Sequence, residues 1–344
     1  VNGPVKSILI TGGAGFIGAN FVCYFLNKHP QYRIINLDKL TYAGSLGNLC
    51  EIKDNPRHIF VKGDIADQSL VGSLFKDHDI RGVIHFAAES HVDNSIHDPK
   101  SFIETNIVGT FTLLEAAKKA WLMGPHAPKS GFEKCRFHHI STDEVYGELG
   151  AEGKFREDSA YAPNSPYSAS KASSDFLVRS YHKTYGLNGV ISNCSNNYGP
   201  KQHDEKLIPT IIRKALNHEN IPIYGKGKNI RDWLYVMDHV EAIDRIYHEG
   251  QNGQSYVIGT NCEQTNLGLA TVICEILDDL KPMASGSHKD LMTFVKDRPG
   301  HDFRYAIDAT KLKNELGWRT TGTFQDHLRE TVLWYMRKYQ TRKA

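Results

Sequence analysis

Along the first 200 positions, short apolar runs alternate with longer stretches whose apolar side chains recur every three or four residues. The short runs are Ile8-Leu9-Ile10, Ile34-Ile35-Asn36-Leu37, Ile59-Phe60-Val61, Val83-Ile84-His85-Phe86, Phe137-His138-His139-Ile140 and Val190-Ile191. They are β-branched or aromatic and show little polar alternation, as expected of strands buried on both faces of a parallel sheet. The longer stretches predict helices over Phe16 to Leu26, about Pro99 to Trp121, and about Pro166 to Tyr185. In the second of these, the apolar stripe is Phe102, Ile103, Ile107, Phe111, Leu113 and Leu114. Strand and helix in alternation give the α/β class, a doubly wound parallel sheet covered by helices on both faces.

The rhythm changes after Pro200. A helix is expected over Leu207 to Leu216, and strands over Ile221-Pro222-Ile223-Tyr224 and Trp233-Leu234-Tyr235-Val236. This predicts a large domain over residues 1–198 and a second, smaller mixed α/β domain over 199–344. The second is discontinuous, with segments near 237–262 returning to the first. A chain of 344 residues is long enough for two closely packed domains.

Charge and composition remove several classes. Forty-one Lys+Arg against thirty-nine Asp+Glu leave +2, with no bias toward nucleic acid or an anionic membrane. Apolar residues at 40% and charged residues at 23% describe a globular protein with a real core. The six cysteines (Cys23, Cys50, Cys135, Cys194, Cys262, Cys274) contain no CxxC pair and no metal-ligand spacing. They read as buried, reduced thiols in a cytoplasmic protein without a metal site. The uncharged run Ser7 to Asn27 holds four glycines and two asparagines, and reads as neither membrane anchor nor signal peptide. The basic residues Arg337, Lys338, Arg342 and Lys343 are expected to decorate a solvated helix end.

Candidate chemistry enters with the glycines. Gly12-Gly13-Ala14-Gly15-Phe16-Ile17-Gly18 lies between the first strand and the first helix. Gly13, Gly15 and Gly18 keep the dinucleotide spacing of a Rossmann fold, and Gly12, Gly15 and Gly18 keep its looser form. Such a loop turns sharply and lets a diphosphate sit at the positive helix N-terminus. Asp38 falls twenty residues beyond Gly18, at the end of the second strand. A carboxylate there accepts from ribose hydroxyls and repels a 2′-phosphate, so NAD is expected rather than NADP. Asp64, ending the third strand, is an expected adenine contact.

A second group sits farther along. Tyr167 and Lys171 are spaced i, i+4 on one helical face, and a nearby cation favours a phenolate. Ser141-Thr142-Asp143-Glu144 comes immediately after the fifth strand, at its C-terminal end, where open α/β sheets place their ligands. The adjacent acids suit a step that needs both a proton donor and an acceptor. A simple turn, or a helix cap made by Asp143, is the competing expectation.

These stretches carry a resemblance. TGGAGFIG, LDKLTYAG, GDI, HFAAESHVD, HHISTDEVYGEL, NSPYSASKASSD, NCSNNYGP, EKLIP, PIYGKG, IRDWLYV, DRPGHDFRYAID and ELGW run in order from residue 11 to 318. The chain resembles the extended short-chain dehydrogenase/reductase family, and within it the branch that dehydrates dTDP-glucose. The resemblance implies NAD as cofactor, dTDP-glucose as substrate and a 4-keto-6-deoxy sugar as product, as in deoxysugar biosynthesis and the rhamnose pathway. It implies that Tyr167, beside Lys171, takes the O4 proton while C4 loses a hydride, and that Thr142 orients that hydroxyl. Glu144 would then take the C5 proton, and Asp143 would protonate the departing C6 hydroxyl.

The same resemblance implies cofactor contacts at Gly12, Gly15, Phe16, Ile17, Gly18, Asp38, Lys39, Leu40, Thr41, Asp64, Ile65, Ala87, Ala88, Glu89, Ser90, His91, Thr105, Tyr167, Lys171 and Asn196. It implies substrate contacts at His91, Thr142, Asp143, Glu144, Asn197, Lys206, Leu207, Tyr224, Arg231, Asn266, Asp297, Arg298 and His301. It also implies a homodimer, formed through the helices near 99–121 and 166–185. Asn94, Lys201 and Asp204 depart from the family's pattern of Arg, an aromatic residue and Pro. The alternatives are a 4,6-dehydratase of UDP-glucose type, a 4-epimerase, which needs no acid pair, and a non-catalytic NAD-sensing protein, which would not need Tyr167 and Lys171 as well.

Overall fold

The computed structural model describes residues 6–297 and 302–341. In it Lys6–Thr11 (β1), Tyr32–Asp38 (β2), His58–Lys62 (β3), Ile80–His85 (β4), Arg136–Thr142 (β5), Gly189–Cys194 (β6) and Ser255–Ile258 (β7) form one sheet. Its order is β3-β2-β1-β4-β5-β6-β7, and every neighbouring pair is parallel. The chain therefore winds outward both ways from β1, and the strand order reverses between β1 and β4, where such sheets open a ligand crevice.

Both faces of the sheet are apolar because both are covered. Ile8, Ile10, Ile34, Ile84 and Ile140 point to one side, against Phe21 and Phe25 of helix Phe16–Lys28 (α1). Leu9, Ile35, Leu37, Val83 and Phe137 point to the other. There they meet Val71 of helix Gln68–Asp77 (α2), Leu114 of helix Thr110–Trp121 (α3) and Val178 of helix Pro166–Tyr185 (α4). Each such buried side chain contributes roughly 1.5–3 kcal/mol.

Helix α4 has the bounds its sequence predicts. Ser165 and Ser168 cap its start reciprocally with Pro166 at the first helical position, and Gly186 ends it in the left-handed region at φ 74°. The long helix expected from Pro99 to Trp121 is instead composite. An α-turn over Pro99–Phe102 widens into a π-helical segment, Ile103–Gly109, before α3 resumes. The segment contains Asn106, whose carbonyl accepts from the hydroxyls of Thr110 and Ser174 at 2.6 and 2.7 Å. Its side chain bonds both backbone groups of Glu89 and the Ser170 hydroxyl. Periodicity does not reveal a π-turn, because the apolar stripe passes through it unbroken.

Beyond residue 200, helix Leu207–Leu216 (α5) leads to two small sheets. Ile221–Tyr224 pairs with Met292–Val295, and Ile230–Tyr235 lies between Glu263–Thr265 and Asn196–Tyr198. The strand expected to reach Val236 stops at Tyr235, because Val236 starts helix Val236–Glu249 (α6). With β7, α6 returns to the large sheet. Helices Asn266–Leu280 (α7) and Phe324–Thr341 (α8) complete this half. One apolar cluster runs from Ile10 and Phe21 through Tyr198, Ile211 and Ile243 to Ile273 and Val332, so the two halves share a core.

Two expectations are corrected here. Of the six cysteines expected to be buried, Cys50 is exposed and Cys262 half-buried. Lys338 is not a solvated helix end: its Nζ lies 2.7 Å from Asp204 and 5.2 Å from the Tyr335 ring centre. Arg342 and Lys343 lie outside the described residues. Among the described residues no helix is long and apolar enough to cross a membrane.

Candidate active site

A cleft of about 330 Å³ opens at the carboxyl edge of the sheet, over the point where the strand order reverses. Its two ends are built differently.

At one end the backbone does the shaping. Gly12 takes φ +72°, and a Cβ there would stand 2.6 Å from the Ala87 backbone nitrogen. A Cβ on Gly18 would stand 2.2 Å from the Gly12 carbonyl oxygen. These contacts admit only glycine, and they bring β1, α1 and the loop after β4 together around the start of α1. Gly15, Phe16 and Ile17 line the cleft there. Asp38 accepts the Ala14 N–H at 2.9 Å through one oxygen and the Leu40 N–H at 2.8 Å through the other. Each oxygen keeps a lone-pair direction for a further donor. Lys39 and Asp64 pair at 2.7 Å. Burial would raise the Asp64 carboxyl, but Lys39 and the Ala66 N–H outweigh it and hold the group below its usual range. Thr41, Ile65, Ala87, Ala88, Glu89, Ser90 and Thr105 complete this end.

At the other end side chains do the work. Thr142, Glu144, Tyr167, Lys171, Asn196, Asn197 and Lys206 line the wall. Thr142 closes β5, and its Oγ1 accepts the Glu144 N–H at 3.3 Å. The capping role weighed for Asp143 thus belongs to Thr142. Asp143 lies behind the wall, 2% exposed, with the Thr142 hydroxyl donating to its Oδ1 at 3.4 Å. Its Oδ2 has no hydrogen-bond partner among the described residues. Burial, then Glu144 and Asp232, push this carboxyl well above its usual range, against the opposing charge of Arg231. The shift disfavours the anion, which suits the group to a proton donor's part.

The Tyr167–Lys171 pair differs from expectation. Lys171 is buried and donates to the Ile140 carbonyl at 2.8 Å; burial pushes its ammonium down to about 8. Burial, then the Glu144 charge, hold the Tyr167 phenol well above its usual range, and only the Thr142 hydroxyl acts the other way. Burial thus opposes the phenolate that the neighbouring ammonium is expected to favour. A spacing of i, i+4 sets proximity along the helix but leaves desolvation out of account.

Other expected contacts lie outside the cleft lining. Leu40 sits at φ +56° with its N–H on Asp38, and Leu207 opens α5. His91 precedes helix Val92–His97, with Nε2 3.9 Å from Glu205. Arg231 is buried; its guanidinium donates to the carbonyls of Ile230, Asp302 and Phe303 and stacks 4.4 Å from the Tyr305 ring centre. Tyr224 is exposed at a strand end, one residue before Gly225, whose added Cβ would meet Asp297 at 2.7 Å. Asn266 begins α7, and its N–H reaches the Asn229 carbonyl. Arg298 and His301 fall outside the described residues.

Sequence reasoning missed Ser141, Cys194, Ser195, Gln202, His203 and Glu205, all of which line the cleft. The first three end or follow strands, a position that marks ligand sites in parallel sheets. The others belong to the loop after Gly199, which two of the departing residues anchor. Lys201 Nζ lies 3.1 Å from Glu51 and 3.5 Å from Cys23 Sγ, and Asp204 takes Lys338 and the Tyr339 hydroxyl. Asn94 is exposed on its short helix. Away from the cleft, at the C-terminal end of α1, His29 and His248 converge on Asp244, which Lys28 also engages at 2.9 Å.

Residues 9–331 match the family described as GDP-mannose 4,6 dehydratase. A dTDP-glucose 4,6-dehydratase from Xanthomonas campestris pv. campestris is 53% identical over 329 residues, 95% of this chain and 92% of that one. A solved dTDP-glucose 4,6-dehydratase from Streptomyces venezuelae, with NAD and TYD bound, is 42% identical with a TM-score of 0.87 over 98% of both chains. Another, from Bacillus anthracis in complex with NAD, is 44% identical with a TM-score of 0.85, covering 97% of this chain and 98% of that one.

Proposed function

The chain belongs to the GDP-mannose 4,6 dehydratase family, with dTDP-glucose 4,6-dehydratases among its relatives, and from that premise we propose that it is a lyase acting on dTDP-glucose with NAD. The product is dTDP-4-keto-6-deoxyglucose. The observation that carries this choice is the buried Asp143 carboxyl, one oxygen unpartnered, next to Glu144 at the wall that bears Tyr167. A 4-epimerase has no use for two acids there, and a binding protein has no use for an acid buried at a cost in stability.

The cofactor end fits NAD. The glycine contacts leave room for a diphosphate against backbone at the start of α1, and Asp38 keeps acceptor capacity for ribose hydroxyls. Bound NAD supplies a hydride acceptor that later returns what it took, so no external reductant is consumed. Gly12, Gly15, Gly18, Asp38 and Asp64 hold it; Tyr167, Lys171 and Asn196 border the reacting end.

Tyr167 takes the proton from the sugar O4, with Lys171 beside it and the Thr142 hydroxyl orienting the substrate. Oxidation at C4 acidifies the C5 proton, which the partly exposed Glu144 removes. Asp143 gives its proton to the C6 hydroxyl, which leaves as water. Asn197, Lys206, Tyr224, Arg231, Asn266, Asp297, Arg298 and His301 contribute to the nucleotide-diphosphate side. Residues 199–344, less the segment returned to the large sheet, act as the substrate domain. Ile96, Ile103, Val108, Phe111 and Phe176 are exposed on the composite helix and its neighbours, and support a homodimer through these helices. The product class belongs to deoxysugar biosynthesis, including the rhamnose pathway, and the enzyme is cytoplasmic.

The test is dTDP-glucose carrying deuterium at C4. A 4-keto product with deuterium at C6 is expected, and UDP-glucose should be used at least about tenfold less well, since one methyl in an apolar pocket discriminates by roughly 1–3 kcal/mol. Epimerised sugar with deuterium still at C4, or no turnover, would overturn the assignment.

A further inference from the structure

One helical turn beyond Lys171, α4 carries a carboxylate with no part in the chemistry so far. Asp175 is fully buried. Three donors from three different segments converge on a single oxygen, Oδ2: the Ser141 hydroxyl of β5 at 3.0 Å, the Tyr161 hydroxyl at 2.8 Å and the Asn193 amide of β6 at 3.0 Å. The other oxygen faces His139 Nε2 at 3.3 Å. Burial raises this carboxyl above its usual range; Lys171 is the largest influence acting the other way, followed by the three donors to Oδ2, each of which favours the anion. Lys171, for its part, donates to one acceptor among the described residues, the Ile140 carbonyl. A buried ammonium with a single neutral acceptor requires an opposite charge nearby.

We propose that Asp175 is the counter-charge that keeps Lys171 an ammonium, and is therefore a positioning residue for the Tyr167–Lys171 pair. The inference rests on Tyr167 being the base that opens the reaction. The other groups facing Asp175 do not replace it. His139, buried on β5, is held neutral by desolvation and then by Lys171; Tyr161 and Tyr146 keep their protons; Arg179 is exposed on the outer side of α4. Against the desolvation of Lys171, Asp175 is the largest opposing influence.

The hydrogen-bond pattern supplies a clean variant. In Asp175→Asn an amide oxygen at the Oδ2 position keeps all three donors, and the amide nitrogen faces His139, so charge is removed and contacts are kept. Lys171 titration is followed by NMR of lysine labelled at Cε, with Lys171→Arg to assign the signal. The expected result is a fall of about one pH unit or more, the size an adjacent opposite charge imposes. The alkaline limb of kcat/KM on dTDP-glucose should fall with it, while bound NAD is unchanged. Tyr161→Phe removes one donor from Asp175 and should give a smaller shift the same way, and serves if Asp175→Asn does not fold. A Lys171 titration and an alkaline limb that coincide with wild type in the variant that folds would overturn the proposal, even if kcat dropped uniformly. Because the NMR titration needs no turnover, a wild-type enzyme inactive on dTDP-glucose would instead count against the assigned reaction.

Discussion

The two ends of the cleft solve opposite problems. The glycine end is shaped by backbone approaching backbone, and its Lys39–Asp64 pair sits partly in water, each satisfying the other. The end at β5 and α4 buries ionisable side chains and leaves some of them wanting: Asp143 has an unpartnered oxygen, and Lys171 and Tyr167 are desolvated. One end is fitted to hold a molecule and the other is strained to react with one. The contrast makes a mechanical prediction. The binding end should be broken by adding atoms, and the reacting end by removing charge.

The largest expected effect is at the reacting end. Asp143→Asn should lower kcat about 10²–10⁴-fold by slowing water loss, the usual worth of a positioned acid. C4 oxidation should persist, so reduced cofactor accumulates on mixing and is seen by its absorbance. Glu144→Gln should likewise suppress solvent exchange at C5. The same Asp143 variant should be more stable than wild type. The native carboxyl is raised above its unfolded value, so its contribution to stability is present below that value and lost as pH rises through the range up to the native one. The variant's advantage should therefore be absent below about pH 4 and grow above it, by about 1.4 kcal/mol for each pH unit up to the native value. Denaturant titrations across pH measure it. A variant that loses both activity and stability at pH 7 would make Asp143 a structural acid and erase the contrast.

Next in size is an added methyl at the binding end. Gly18→Ala places a Cβ 2.2 Å from the Gly12 carbonyl oxygen, a contact with backbone that cannot swing away. Overpacking of this kind costs about 1–3 kcal/mol. It should appear as weakened NAD retention, with kcat close to wild type at saturating cofactor. Equal losses of kcat and cofactor would show that the two ends are not separable.

How far each end could be read from the sequence follows from the same contrast. Backbone constraints write themselves as glycines at fixed offsets, so the loop at Gly12 to Gly18, the helix after it and Asp38 were all legible. Helix α4 is legible as about Pro166 to Tyr185, and its ends carry local signals in Ser165, Pro166 and Gly186. Buried side-chain networks leave no such mark. Spacing placed Tyr167 near Lys171, yet the depth of burial that raises one and lowers the other depends on β5, β6 and the loop at Tyr161 closing over them. Nothing in the local sequence marks Asp175, the fully buried meeting point of three hydrogen bonds. The π-segment at Ile103–Gly109 was hidden for a related reason, since what marks it is the hydroxyl and amide traffic around Asn106.

The smallest effect is the one that sharpens the comparison most. If the binding end is held by backbone fit, its ion pair should matter little. Lys39 and Asp64 lie at 2.7 Å, but their side chains are 56% and 32% exposed. Pairs this wet are worth about 0.2–1 kcal/mol because water and salt compete for both partners. The Asp64 carboxyl is held below its usual range, so the stability it confers is present above its unfolded value and is lost as pH falls through the lower, native one. Lys39→Ala should thus lower stability by no more than about 1 kcal/mol at pH 7 and low salt. The deficit should begin to shrink below about pH 4, where the unfolded carboxyl takes up its proton, and vanish only when the native one is protonated too. It should also shrink in 1 M salt, where the screening length is about 3 Å. Denaturant midpoints at the two pH values and two ionic strengths measure all of this. A loss of several kcal/mol that survives salt would mean that the loop after β2 depends on this charge pair, and the binding end would then belong with the reacting end as a site built from side chains.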